Sequence, residues 1–127
     1  MGIIETHAAD KSNERVNNDL IEISELLKAA NRTMRYDLLK NYFSCLEAFY
    51  INYRGLFTTL EREKATKKLQ EAHNLIQLAD NEHQTRGRKL LEDLIFKCKM
   101  LHMIMTDALH DKEYFFRMRE DKKVNYG

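Results

Sequence analysis

A cysteine and a histidine lie one helical turn apart in the last third of the chain, at Cys98 and His102. A thiolate and an imidazole at this spacing can bind zinc, and they can also act as a nucleophile and its general base. A zinc site needs two further ligands at the same point, and the sequence indicates none. Both residues lie among leucines and methionines, where cysteine usually packs as a small apolar side chain. We therefore predict no metal, no cofactor and no catalytic residue, and hence no enzyme.

Two Asp-x-x-His pairs, Asp80 with His83 and Asp107 with His110, are faintly similar to the carboxylate–histidine pairs of di-metal helix bundles. Those bundles use glutamate, whereas both carboxylates here are aspartates. Asp80 and His83 fall in a predicted loop, and Asp107 points away from the predicted core. Helix ends at the surface are therefore the favoured interpretation of both pairs.

Composition favours a single all-α domain. The 127 residues include no proline and only four glycines, with 43% apolar and 32% charged residues. Such a chain is long enough to bury a core, and it is rich in helix formers. The net charge of +1 provides no strong field for nucleic acid or a membrane surface. Cys45 and Cys98 fall on predicted helices, which favours reduced thiols and a cytoplasmic protein. No stretch approaches the roughly 20 apolar residues that a membrane span needs.

Apolar spacing predicts four helices that form an antiparallel four-helix bundle with a long C-terminal helix. The second helix carries an aromatic stripe made of two rows that repeat by sevens. One row is Leu39, Leu46, Tyr53 and Leu60, and the other is formed by the pairs Tyr42/Phe43, Phe49/Tyr50 and Leu56/Phe57. The predicted helices cover about 13–30, 34–54, 60–79 and from 85–88 to 118. The bundle domain is expected at 13–118, with flexible tails at 1–12 and 119–127. Gly2 and Thr6 match an N-myristoylation pattern, but a plain tail is the favoured interpretation.

The connections between the helices carry recognisable turn residues. The first helix should start after Ser12 or Asn13, and either Asn31 or Thr33 should cap the second. Gly55 suits a left-handed residue just past the end of the second helix. Thr58 and Glu61 resemble a capping box that starts the third helix. The stripe continues in phase past Gly55, so a helix running through this glycine is the alternative, but a break is favoured.

The fourth helix carries apolar residues on two sides. Its core seam is Leu91, Leu94, Ile95, Cys98, Leu101, His102, Met105 and Leu109. Phe96, Met100 and Met103 fall nearly opposite this seam, and Ile104 lies near their edge. One explanation is a central helix that the other helices or the N-terminal tail cover. The other is a surface for self-association or a protein partner, since three packed helices leave little chain for the second side.

We therefore expect a non-enzymatic interaction module, such as an adaptor, regulator, inhibitor or assembly component. Its partner would be a second copy, as a homodimer, or another protein. The expected contact residues are Phe96, Met100, Met103 and Ile104, and Tyr114, Phe115 and Phe116 could extend the surface.

The alternative is a small nucleic-acid-associated helical protein. Arg86, Arg88 and Lys89 cluster at the start of the fourth helix, where positive charge opposes the helix dipole. A purely structural role therefore explains basic residues at the C-terminal end of a helix better than it explains this cluster at the start. Salt-dependent binding to phosphate is the function that such a cluster could serve.

Overall fold

The computed structural model describes residues 2–81 and 87–110, with side chains from residue 14 onward. Within these ranges the chain forms four α-helices and no strand, which confirms the all-α bundle. The helices are α1 (Gly2–Thr33), α2 (Tyr36–Tyr53), α3 (Thr59–Asn81) and α4 (Arg88–His110), and a 3₁₀ turn, Arg54–Leu56, follows α2. None of the described helices is long and apolar enough to cross a membrane.

The bundle is built around α2 and α4, which contact each other. α1 packs mainly on α2, and α3 packs mainly on α4, whereas α1 and α4 touch much less. The hydroxyl of Tyr36 donates to the carbonyl of Ile76, and the hydroxyl of Tyr50 lies 3.2 Å from Oγ1 of Thr66. The start of α2 therefore lies beside the end of α3, and the two helices run antiparallel.

The core follows the apolar periodicity of the sequence. The aromatic stripe of α2, the alanine-rich seam of α3 and the core seam of α4 all face inward. The buried residues of these helices are Leu39, Tyr42, Phe43, Leu46, Phe49, Tyr50, Ala65, Ala72, Ile76, Ala79, Leu94, Ile95, Cys98, Leu101, Met105, Ala108 and Leu109. The predicted seams of α2 and α4 are therefore confirmed for most of their residues, although Tyr53, Leu91 and His102 are half-buried and Leu60 is exposed.

The turn between α1 and α2 differs from the prediction. α1 begins at Gly2, earlier than the expected start after Ser12 or Asn13, and runs to Thr33. Neither Asn31 nor Thr33 is the N-cap of α2, because Arg35 holds that position and makes no side-chain capping bond. The hydroxyl of Thr33 instead donates back to the carbonyl of Ala29, which completes the last turn of α1.

Among the described residues, the one in the left-handed conformation is Met34, with a φ of 53°, and not Gly55. A non-glycine residue in this conformation is strained, so surrounding contacts must hold it there. The Met34 side chain packs against the core, and its N–H donates to the carbonyl of Ala30 at 2.8 Å. Tertiary packing therefore sets this conformation, which the residue type does not favour.

The break near Gly55 is confirmed, but it is a 3₁₀ turn closed by a 3.2 Å bond from the N–H of Phe57 to the carbonyl of Arg54. The capping box is also confirmed, since the N–H of Thr58 donates to Oε1 of Glu61 at 2.8 Å and the N–H of Glu61 to Oγ1 of Thr58 at 3.2 Å. The break restarts the helix in a new phase. Leu60 therefore leaves the heptad row and is 60% exposed.

Some predicted boundaries fall outside the described residues. Most of the loop between α3 and α4 does so, as does the predicted extension of α4 to residue 118. The surface extension at Tyr114, Phe115 and Phe116 also lies there. The division into tails and a 13–118 domain stays a prediction.

Candidate interaction surface

The outer face of α4, defined by Phe96, Met100, Met103 and Ile104, holds two large apolar side chains in contact with water. Phe96 and Met103 are each 56% exposed. Met100 is half-buried, and Ile104 is half-buried and packs against the core. The two exposed side chains therefore form the centre of the face, and Met100 and Ile104 lie towards its edge.

The helical period places these side chains together. At about 100° per residue, Phe96 and Met103 point within about 20° of each other, and Met100 lies about 40° to one side. The buried residues Leu94 and Met105 point in nearly the opposite direction. The face is therefore a stripe on the side of α4 that the core does not use.

Neighbouring helices border the face but do not cover it. On one side, Nζ of Lys97 lies 3.2 Å from Oε1 of Glu71 in α3. On the other side, Nζ of Lys99 donates to Oδ1 of Asn31 in α1 at 2.9 Å. A groove of about 350 Å³ opens beside Phe96, between α4 and the turn that follows α1. No described side chain closes over Phe96 or Met103, so both are accessible on the described part of the chain.

Charged residues lie at both ends of the apolar stripe. Near the start of α4, Arg88 pairs with Glu92 at 3.5 Å and Lys89 pairs with Asp93 at 3.4 Å. Near its end, Asp107 is exposed, and no ion pair to it occurs within the described ranges. The face thus has an apolar centre, a compensated basic end and an acidic end.

The basic cluster of the nucleic-acid alternative is only partly described, because Arg86 lies outside the described residues. Arg88 and Lys89 each pair with an acid one turn along the same helix. Both cations therefore have an acidic neighbour on their own helix, and this geometry adds no support to phosphate binding. The alternative itself stays an untested prediction.

Cys98 and His102 are brought close to Tyr42, and His102 also lines an open groove of about 390 Å³ between α1 and α4. Burial raises the pKa of the Cys98 thiol to about 12, so the sulfur is protonated at neutral pH. Burial also lowers the pKa of His102, whose Nδ1 shares a 2.8 Å hydrogen bond with the Tyr42 hydroxyl. The pKa of Tyr42 is raised, first by burial and then by Cys98. This arrangement favours a packed, neutral, hydrogen-bonded cluster over a nucleophile and base.

The first Asp-x-x-His pair is split between a tertiary contact and the loop. Asp80 accepts a 2.5 Å hydrogen bond from the Tyr36 hydroxyl, and Nζ of Lys40 lies 3.2 Å from its Oδ1. Asp80 therefore ties the end of α3 to the start of α2, whereas His83 lies outside the described residues. Across the described residues, no three histidine, cysteine, aspartate or glutamate side chains are grouped closely enough to hold a metal ion.

Among the residues whose side chains are described, four other large apolar side chains are exposed that the apolar spacing did not select. They are Ile21, Ile51, Leu60 and Leu78, on three different helices. Ile21, Ile51 and Leu78 lie off the apolar seams of their helices, so their spacing could have indicated that they are exposed. The exposure of Leu60, in contrast, depends on the helix break. Single apolar residues on a surface are common. They therefore do not define a site in the way that Phe96 and Met103 do.

The fold defines the protein as an all-α helical bundle, and similarity to other proteins adds nothing further. No protein-family model, curated protein or solved structure matches the chain.

Proposed function

We propose that this protein is a non-enzymatic helical protein–protein interaction module that self-associates through the outer face of α4. Within this class it would serve as an adaptor, regulator, inhibitor or assembly component. The observation that carries the proposal is the pair Phe96 and Met103, each 56% exposed on a single face. Complete burial of such a side chain contributes about 1.5–3 kcal/mol. Since about half of each remains in water, a partner can gain about 0.8–1.7 kcal/mol from each one.

The position of the face also supports a contact role. α4 packs on both α3 and α2, so the helix that presents Phe96 and Met103 is held on its opposite side. A rigid surface loses little conformational entropy on binding. Met100 and Met103 add unbranched, adaptable side chains, which fit different partner shapes.

The buried chemistry supports a non-enzymatic role. Cys98 is fully buried, and burial raises the pKa of its thiol to about 12. A nucleophilic cysteine needs an accessible thiolate, which this environment disfavours. A cytoplasmic location is also part of the proposal, and the free thiols of Cys45 and Cys98 support it, because reducing compartments keep cysteines unpaired.

Sedimentation across a wide protein concentration range tests the proposal. The wild type should approach twice the monomer mass as its concentration rises, because the second copy buries Phe96 and Met103. The Phe96→Glu/Met103→Glu variant should remain monomeric, since it places charge on the apolar centre of the face. Both substituted positions are exposed, so the fold should survive, and circular dichroism should show unchanged helix content.

A matched control changes two exposed apolar residues elsewhere. Ile51 and Leu78 are 65% and 45% exposed on α2 and α3. The Ile51→Glu/Leu78→Glu variant should therefore self-associate as the wild type does. A wild type that stays monomeric at every concentration would contradict self-association. Equal association of Phe96→Glu/Met103→Glu and wild type would contradict the choice of surface.

A further inference from the structure

Lys89 and Asp107 lie on either side of the apolar centre of the outer face of α4, and their opposite charges are self-complementary between two copies, although Lys89 also contacts Asp93 of its own helix. Lys89 and Asp107 both point within about 20° of the direction of Phe96. We infer that two copies of the chain pair their α4 helices antiparallel, so that Lys89 of each copy lies beside Asp107 of the other. This inference rests on the proposed self-association and names its geometry.

Within a single chain the two charges are too far apart to interact. Lys89 and Asp107 are separated by eighteen positions, or about 27 Å along the helix axis at 1.5 Å per residue. The structure shows Lys89 paired with Asp93 on its own helix at 3.4 Å, with the lysine side chain 86% exposed. Such an exposed pair is weak, and the ammonium group has further protons to donate. Lys89 of one copy can therefore also pair with Asp107 of a second copy.

The centres of the charged and apolar pairs nearly coincide. The midpoint of Lys89 and Asp107 falls at Cys98, and the midpoint of Phe96 and Met103 falls between Lys99 and Met100. These points differ by about 2 Å along the axis. A single two-fold axis therefore serves both pairs, with Phe96 facing the methionines of the other copy. The flexible lysine side chain absorbs the small offset.

A parallel arrangement places like charges together. Lys89 would then face Lys89, and Asp107 would face Asp107, which is unfavourable at both ends of the interface. A two-fold antiparallel interface instead forms the same contact twice, because each copy supplies both partners. The charge pattern therefore selects the antiparallel pairing. The apolar area is small, so this dimer should form at high protein concentration.

Charge reversal tests the geometry, with dimer dissociation measured by sedimentation equilibrium at low salt. Lys89→Glu and Asp107→Lys should each weaken dimerisation by about tenfold, since each creates two repulsive contacts. The double variant Lys89→Glu/Asp107→Lys should return to within about threefold of wild type. Both changes suit the helix dipole, with an acid near the start of α4 and a base near its end, so folding should be preserved.

Mixing the two single variants gives a sharper result. An equimolar mixture of Lys89→Glu and Asp107→Lys chains should form a heterodimer more tightly than either variant self-associates, because both inter-copy pairs are again opposite in charge. High salt should reduce these differences. Lys64→Glu, an exposed charge reversal on α3, should leave dimerisation unchanged.

The possible failures are distinguishable. If the wild type dimerises, Phe96→Glu/Met103→Glu abolishes the dimer and the charge reversals have no effect, then antiparallel pairing is wrong and the proposed surface stands. If the wild type is monomeric at every concentration, both self-association and its geometry are overturned. A monomeric wild type that binds a different protein through Phe96 and Met103 would likewise overturn the antiparallel dimer.

Discussion

The most direct test of the outer face compares two residues of α4 that differ in burial. Leu101 is fully buried, whereas Phe96 is 56% exposed. We predict that Leu101→Ala strongly destabilises the isolated protomer and that Phe96→Ala barely does. The comparison tests whether Phe96 lies outside the core of a free chain. That exposure is the physical premise of the proposed interface.

The expected magnitudes follow from burial. Leucine-to-alanine changes in a packed core cost about 2–5 kcal/mol, because apolar contacts are lost and a cavity remains. Replacing a fully buried phenylalanine costs about 3–5 kcal/mol. Phe96 retains contact with water over about half of its surface and leaves no enclosed cavity, so we expect about 1 kcal/mol or less from Phe96→Ala. The difference is large against a total stability of about 5–15 kcal/mol.

Urea unfolding at low protein concentration, monitored by circular dichroism, measures both changes in a monomer. Leu101→Met should lie much closer to wild type, since it conserves volume. Raising the protein concentration should then stabilise the wild type but not Phe96→Ala, because only the native dimer buries Phe96. A cost for Phe96→Ala equal to that of Leu101→Ala at low concentration would refute the reasoning, since it would place Phe96 inside the free protomer.

Two further predictions concern the buried cluster of α4. Burial lowers the pKa of His102 below its ordinary value of 6.5, so the unfolded chain binds more protons than the folded protein. Stability at this site is therefore lost as the pH falls below about 6.5, and urea midpoints of wild type should decline more steeply from about pH 7 to about pH 5 than those of His102→Gln. Equal slopes would show that His102 is not buried as a neutral group. In the native protein, an alkylating reagent should modify half-buried Cys45 before Cys98, because burial raises the pKa of the Cys98 thiol to about 12. Mass spectrometry measures the two rates, and comparable rates would show that the core around Cys98 opens readily.

The sequence by itself determined the helices and most of the core. Helical periodicity is a local property, so the inward seams of α2, α3 and α4 could be predicted from apolar spacing. The Thr58–Glu61 capping box was predictable for the same reason, since its two hydrogen bonds join residues three positions apart. The apolar character of the outer face was also visible, because Phe96, Met100 and Met103 repeat by four and three.

Tertiary structure decided which apolar residues the bundle leaves in water. Whether Phe96 is covered depends on where α1 and α3 pack, and contacts between helices distant in sequence leave no local signal. Leu60 shows the same limit, since a 3₁₀ turn changed the phase of its helix and turned it to the surface. Met34 adopts a left-handed conformation because its side chain packs against the core, against the preference of its residue type. Local periodicity thus selects the face of a helix, whereas long-range packing selects the faces that are buried.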